Sequence, residues 1–164
     1  MKVAVVIPKL LVGPAPINLE DYQQLTSLGV TAILSLQSPE DLQGREIAYV
    51  AARAQSASIA FHNVPITDFD SLDLMWRLPK SVKIVSELIG EGHTVYLHCT
   101  AGVTRSPTVA AAYLHWTEHW PLQTALDRLH EVRECCPLGN LIRQMQEAKD
   151  RIGSVRKEEP GTNP

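Results

Sequence analysis

Residues 94–107 constrain this chain more than any other stretch. The apolar run Thr94–His98 leads directly into Cys99, then a short loop around Gly102, then Arg105-Ser106-Pro107 and an Ala-rich segment. Proline is tolerated in the first turn of a helix and disfavoured in its interior, so Pro107 opens a helix reaching to about Glu118. A buried strand that feeds a helix through a tight loop is the building unit of an open α/β sheet. In such sheets the reactive loop lies at the carboxyl end of a strand.

The same alternation runs through most of the sequence. Val3–Ile7 and Leu10–Val12, split by Pro8, predict a strand pair or a bent edge strand. Asn18 caps a helix to about Leu28 that Gly29 ends. Strands follow at Val30–Leu36 and Ile59–Val64, with a helix start at Ser38-Pro39-Glu40-Asp41 and a helix from near Gly44 to about Ser56 between them. Pro65–Leu72 is an Asp-rich loop. Helices are expected over Leu74–Ile89, Leu122–Glu134 and Leu141–Arg151. The fold class is therefore α/β: a single domain with a largely parallel central sheet. With 164 residues, 45% of them hydrophobic, the chain suits one core. The domain is expected over residues 1–152, and the polar tail 153–164 is expected to be disordered.

Several function classes fall away. The net charge is -3 and no Lys/Arg block stands out, which argues against nucleic acid as a partner. No apolar run spans a bilayer, and the N-terminal apolar stretch, broken by Pro8 and Lys9, reads as strand rather than signal peptide. The three cysteines, Cys99, Cys135 and Cys136, make a poor disulfide framework and point to a reducing, cytoplasmic setting. No pairing helix is evident, so a monomer is expected. His115 and His119 share i, i+4 spacing, as do Trp116 and Trp120, but no convincing metal set emerges and these read as core or helix-face residues.

Cys99 carries the chemistry. Thiolates are stabilised at helix N-termini and near cations, and the thiolate is the competent nucleophile. Thr100, Ala101, Gly102, Val103 and Thr104 have small or short side chains, so their backbone N–H groups can turn inward as an anion nest. Gly102 permits a close approach that a side chain would hinder. Arg105 adds a planar guanidinium able to grip two phosphoryl oxygens at once. Nucleophile, cradle and clamp around one tetrahedral anion fit phosphoryl transfer to sulfur. Ser106 is placed to donate a hydrogen bond to Cys99 when the thiolate leaves. His98 organises the loop backbone rather than acting as a base.

These residues, HCTAGVTRS, resemble the signature HCxxGxxR[ST] of the dual-specificity branch of the protein tyrosine phosphatase superfamily. IPKLLVGPAP is similar to the opening strands of those domains, FHNVPITDFD to the segment that carries their acid, and CPLGNLIRQM to their final helix entry, with Leu138 where asparagine is common. The resemblance implies a five-stranded sheet flanked by helices, with no metal and no cofactor. It also implies an aspartic acid that protonates the leaving oxygen and then activates water. Asp68, Asp70 and Asp73 are candidates. Asp68 matches the family position best and Asp70 is the runner-up.

For the substrate, the resemblance implies a shallow pocket open to phosphorylated proteins or other phosphomonoesters. The loop has no lysine, unlike relatives that act on inositol phospholipids. GPAP, ITDFDSLDLMWRLPKSV and VYLHCTAG are also similar to stretches of plant glucan phosphatases. Those usually carry glycine where Thr104 stands and alanine where Ser106 stands, and this chain as given has no carbohydrate-binding module. Trp76, just after the acid loop, reads first as a partly buried helix residue and second as a platform for a sugar ring or an aryl phosphate. Two readings from other classes compete: an inactive phosphate-binding module and a rhodanese-type sulfurtransferase. The conjunction of Cys99, Arg105, Ser106 and an upstream acid disfavours both.

Overall fold

The computed structural model describes residues 1–158. One five-stranded sheet organises it: β1 (Ala4–Ile7), β2 (Leu10–Gly13), β3 (Ala32–Ser35), β4 (Ala60–Asn63) and β5 (Val95–His98), in the spatial order β1-β2-β5-β3-β4. Only β1 runs antiparallel, joined to β2 by the tight turn at Pro8-Lys9. The remaining pairs, β2–β5, β5–β3 and β3–β4, are parallel. β5 is therefore central, and the chain leaving its carboxyl end emerges in mid-sheet.

Both faces of the sheet are covered. Alternation along β2 sends Leu10 and Val12 to one face and Leu11 to the other. The first face packs under α3 (Ser71–Gly90), α4 (Arg105–Trp116), α5 (Leu122–Val132) and α6 (Gly139–Glu158). The second packs under α1 (Leu19–Ser27) and α2 (Ile47–Ser56), through Tyr22, Leu25 and Ala54. α4 is the buried hub, with every residue from Arg105 to Leu114 buried. Strands buried on both faces read as continuous apolar runs, which is why β3 and β5 are conspicuous in the sequence.

Some expected boundaries move. α3 starts at Ser71 because the Asp70 side chain accepts from the N–H groups of Leu72 and Asp73. Pro39–Leu42 forms a 3-10 turn, and α2 begins only at Ile47. α4 ends at Trp116, and His119 takes a left-handed backbone (φ 58°), so His115 and His119 do not share a helix. α6 continues to Glu158, so residues 153–158, expected to be disordered, are helical; 159–164 lie outside the described residues. Among the described residues no helix is long and apolar enough to cross a membrane.

Candidate active site

The segment after β5 curls around a single atom, the Sγ of Cys99. Cys99 is 3% exposed; the Gly102 N–H donates to its sulfur at 3.3 Å, and the buried Ser106 hydroxyl lies 3.5 Å from it. Thr104 caps α4, and Arg105 and Ser106 are its first two residues. The sulfur thus sits at the N-terminus of a buried helix, where unpaired N–H groups and the helix dipole favour an anion.

Gly102 is required twice over. Its φ is +68°, and a Cβ there would meet the Gly13 carbonyl oxygen at 2.3 Å. Gly13, at the end of β2, is itself confined: a Cβ on it would lie 2.2 Å from the Tyr96 hydroxyl. That hydroxyl donates to Pro14 O at 2.7 Å. The loop is thus seated against the neighbouring strand.

His98 is fully buried. Its Nδ1 lies 2.9 Å from Cys99 O, an atom that can only accept, so Nδ1 carries the proton. Burial pushes the imidazole down to about 4, so it is neutral near pH 7. A neutral ring whose Nδ1–H is spent on the Cys99 carbonyl ties the strand end to the loop backbone.

Arg105 is 3% exposed and held by a partner that sequence reading missed. Asp41, on the 3-10 turn, accepts from Nη1 at 2.6 Å and from Nη2 at 3.1 Å, a two-pronged pair. Asp41 also accepts from the Thr100 hydroxyl at 2.6 Å and the Ser38 N–H at 2.9 Å. Burial alone would raise the Asp41 carboxyl; the hydrogen bonds from Arg105, Thr100 and Ser38 outweigh it and bring it to about 2. Arg105 Nη1 donates as well to Ile66 O at 2.8 Å. Its Nε is buried and has no partner among the described residues.

Of the three candidate acids, Asp68 is the one paired with Arg105, while Asp70 lines the same cleft. Asp68 Oδ2 is 3.1 Å from Arg105 Nη2, and its side chain is 42% exposed. Asp70 caps α3, while Asp73 accepts from Thr67 N–H at 2.7 Å and pairs with Arg77. Asp68, Phe69, Thr104, Arg105 and Leu138 line a cleft of about 220 Å³. Phe69 (φ 59°) and Trp76 stand fully and largely in solvent, which corrects the expectation of a partly buried Trp76. Val103 is also exposed, at the loop's rim.

Cys135 is buried, Cys136 exposed, and all three cysteines are free. His115 Nδ1 bonds Trp120 O, and no cluster of three metal-ligating side chains occurs among the described residues.

A model of the dual-specificity phosphatase catalytic domain matches residues 16–151. The chain belongs to the dual-specificity phosphatase family. This chain is 35% identical over 154 residues to phosphoglucan phosphatase DSP4, amyloplastic, of Castanea sativa, covering 92% of this chain and 40% of that one. It is 29% identical over 164 residues to mouse (Mus musculus) dual specificity protein phosphatase 22, covering 97% and 82%. It therefore spans less than half the length of the phosphoglucan phosphatase it matches. Among solved structures, PTPMT1 superposes with a TM-score of 0.73 at 19% identity, covering 96% of this chain and 99% of that one. That likeness establishes the fold. The five-stranded, mostly parallel sheet is the one the resemblance implied.

Proposed function

We propose that this protein hydrolyses phosphomonoesters through a phosphocysteine intermediate, with Cys99 as nucleophile, Arg105 as phosphate clamp and Asp68 as acid and base. The observations that carry this are the Cys99 sulfur held by the Gly102 N–H beside the Ser106 hydroxyl, and the Arg105–Asp68 pair whose guanidinium feels the Cys99 charge. The N–H groups of the loop from Thr100 to Thr104 cradle the phosphoryl oxygens, and Arg105 Nε is the donor left for one of them. The Cys99 thiolate attacks phosphorus; the S–P bond forms as the P–O bond breaks, and protonated Asp68 gives its proton to the leaving oxygen. Water then attacks the phosphocysteine, Asp68 takes its proton, and the thiolate departs accepting a hydrogen bond from Ser106.

Phosphorylated tyrosine, serine and threonine side chains of proteins are the first substrates on this reading, following the dual-specificity family whose model covers residues 16–151. A catalytic thiol needs a reducing compartment, and the cytoplasm serves. A second reading, a phosphoglucan, is favoured by the 35% identity to a phosphoglucan phosphatase and by exposed Phe69 beside Asp68. An aromatic face at the cleft rim suits a sugar ring as well as a phenyl ring.

The test is hydrolysis of para-nitrophenyl phosphate by wild type, Cys99→Ser and Asp68→Ala. Cys99→Ser abolishes turnover and Asp68→Ala lowers kcat strongly; wild-type activity in Cys99→Ser sinks the mechanism. Phosphate release from phosphotyrosine and phosphoserine peptides and from phosphorylated amylopectin, measured side by side, decides the substrate.

A further inference from the structure

Every carbonyl oxygen from Cys99 to Thr104 receives a hydrogen bond. Cys99 O takes His98 Nδ1 at 2.9 Å, and Thr100 O takes the Ala15 N–H at 3.0 Å. Ala101 O and Gly102 O take Nη2 and Nε of Arg133 at 2.7 and 2.6 Å. Val103 O takes the Cys136 N–H at 2.8 Å, and Thr104 O takes the Thr108 N–H and hydroxyl. No peptide bond here is cis, and a trans peptide holds its N–H opposite to its C=O. Carbonyls drawn outward therefore aim the following N–H groups inward, as the Gly102 N–H to Cys99 contact demonstrates. The accounting required of buried backbone groups closes, and it closes in the direction that makes an anion nest.

The two central carbonyls depend on one side chain. We propose that Arg133 is a positioning residue for phosphoryl transfer, clamping the Ala101 and Gly102 peptides from outside so that the N–H groups of Gly102 and Val103 stay turned toward the phosphate. Gly102, which resists backbone rotation least, is where such a clamp matters most. A peptide rotated there would aim a carbonyl oxygen at the anion instead of a donor. The fork is fixed at its other end too, since Arg133 Nη1 donates to Lys2 O at 2.8 Å. Lysine, with one point of attachment, cannot hold two carbonyls and a third at once.

A control lies five residues earlier, on α5, whose C-cap is Arg133. Arg128 also bonds two carbonyls of the chain's start, Val6 O at 2.9 Å and Val5 O at 3.1 Å, but not the loop. The experiment compares wild type, Arg133→Ala, Arg133→Lys and Arg128→Ala by melting temperature, by tungstate affinity from calorimetry, and by kcat and KM on para-nitrophenyl phosphate. Arg133→Ala weakens tungstate binding and lowers kcat/KM by about tenfold to hundredfold, less than deleting an oxyanion donor outright. Arg128→Ala lowers the melting temperature and leaves tungstate affinity within about twofold of wild type. Added methylguanidinium restores part of the loss in Arg133→Ala. The idea is overturned if Arg133→Ala melts early yet binds tungstate as wild type does. Should that variant not fold, Arg133→Lys carries the test: a loss of about fivefold or more in tungstate affinity supports the clamp and an unchanged affinity removes it. The inference rests on the phosphatase reading for its kinetic arm only. A wild type that binds tungstate but hydrolyses nothing sinks that reading and leaves the clamp to stand or fall on binding.

Discussion

The two loops that meet at the cleft are built oppositely. The phosphate loop, Cys99–Thr104, is tied at every carbonyl, seated on β2 through Gly13, and backed by buried His98 and Arg105. The acid loop, residues 67–71, holds itself by short local bonds, as where Asp70 and Asp73 accept from the α3 start and Thr67. Its aromatic tip, Phe69, is bare. On the proposed mechanism the difference is a division of labour: the anion meets backbone tied in place, and the molecule carrying it meets exposed side chains. Preorganised donors are worth most where they need not move at the moment of reaction.

Four changes break or sharpen that contrast. The largest effect is expected from Gly102→Ala, whose methyl meets the Gly13 backbone and whose φ resists it. It lowers kcat/KM by about 10³-fold, the scale of losing an oxyanion donor; near-wild-type rates mean the loop is softer than described. Next comes the pair Asp68→Ala and Asp70→Ala. The first costs about 10² in kcat, the lower end for a general acid. The second costs about 1 kcal/mol of stability as a lost helix cap and leaves kcat nearly intact. Reversal of the two moves the acid to Asp70.

The third change is acid. The unfolded chain protonates His98 from about pH 6.5 downward, while burial keeps the folded ring neutral until about 4. The unfolded state therefore binds more protons in that window, and stability falls with falling pH by on the order of 3 kcal/mol. Asp41, held to about 2, adds a further loss as pH drops below the usual carboxylate range. Urea unfolding at several pH values reads this out, and His98→Asn flattens the upper part of the profile. A wild-type profile flat from pH 7 to 4.5 contradicts the buried neutral imidazole. The smallest effect belongs to the acid loop's tip. Phe69→Ala leaves para-nitrophenyl phosphate turnover unchanged and raises KM for phosphorylated amylopectin by about fivefold, one stacking contact; equal KM values for both proteins remove support for the glucan reading.

What the sequence discloses follows the same line. The loop after β5 is legible because Cys99, Gly102 and Arg105 fall within seven consecutive residues and each residue type has a chemical reason. The sheet is legible because strands buried on both faces are unbroken apolar runs. Asp41 is legible only as part of a helix start, which it is; its pairing with Arg105 crosses 64 positions and leaves no local trace. Arg133 is likewise one arginine among several until the fold brings it under the loop. Trp76 was misread for a reason visible afterwards. The buried stripe of α3 runs through Leu74, Leu78, Ser81, Val82, Val85 and Leu88, and position 76 falls off it. The end of α6 is hidden in the sequence because polar composition alone does not separate a helix from a disordered tail, and the backbone is helical to Glu158.

Arg105 waits on Asp41 from an earlier element, and the loop waits on Arg133 from a later one. During synthesis from the N-terminus, a chain that has emerged only as far as α4 already carries Cys99 but not the cation that aims its cradle. On the clamp inference the cradle is left slack until residue 133 leaves the ribosome and docks. A stalled or truncated product ending before that point then binds phosphate more weakly than the full chain.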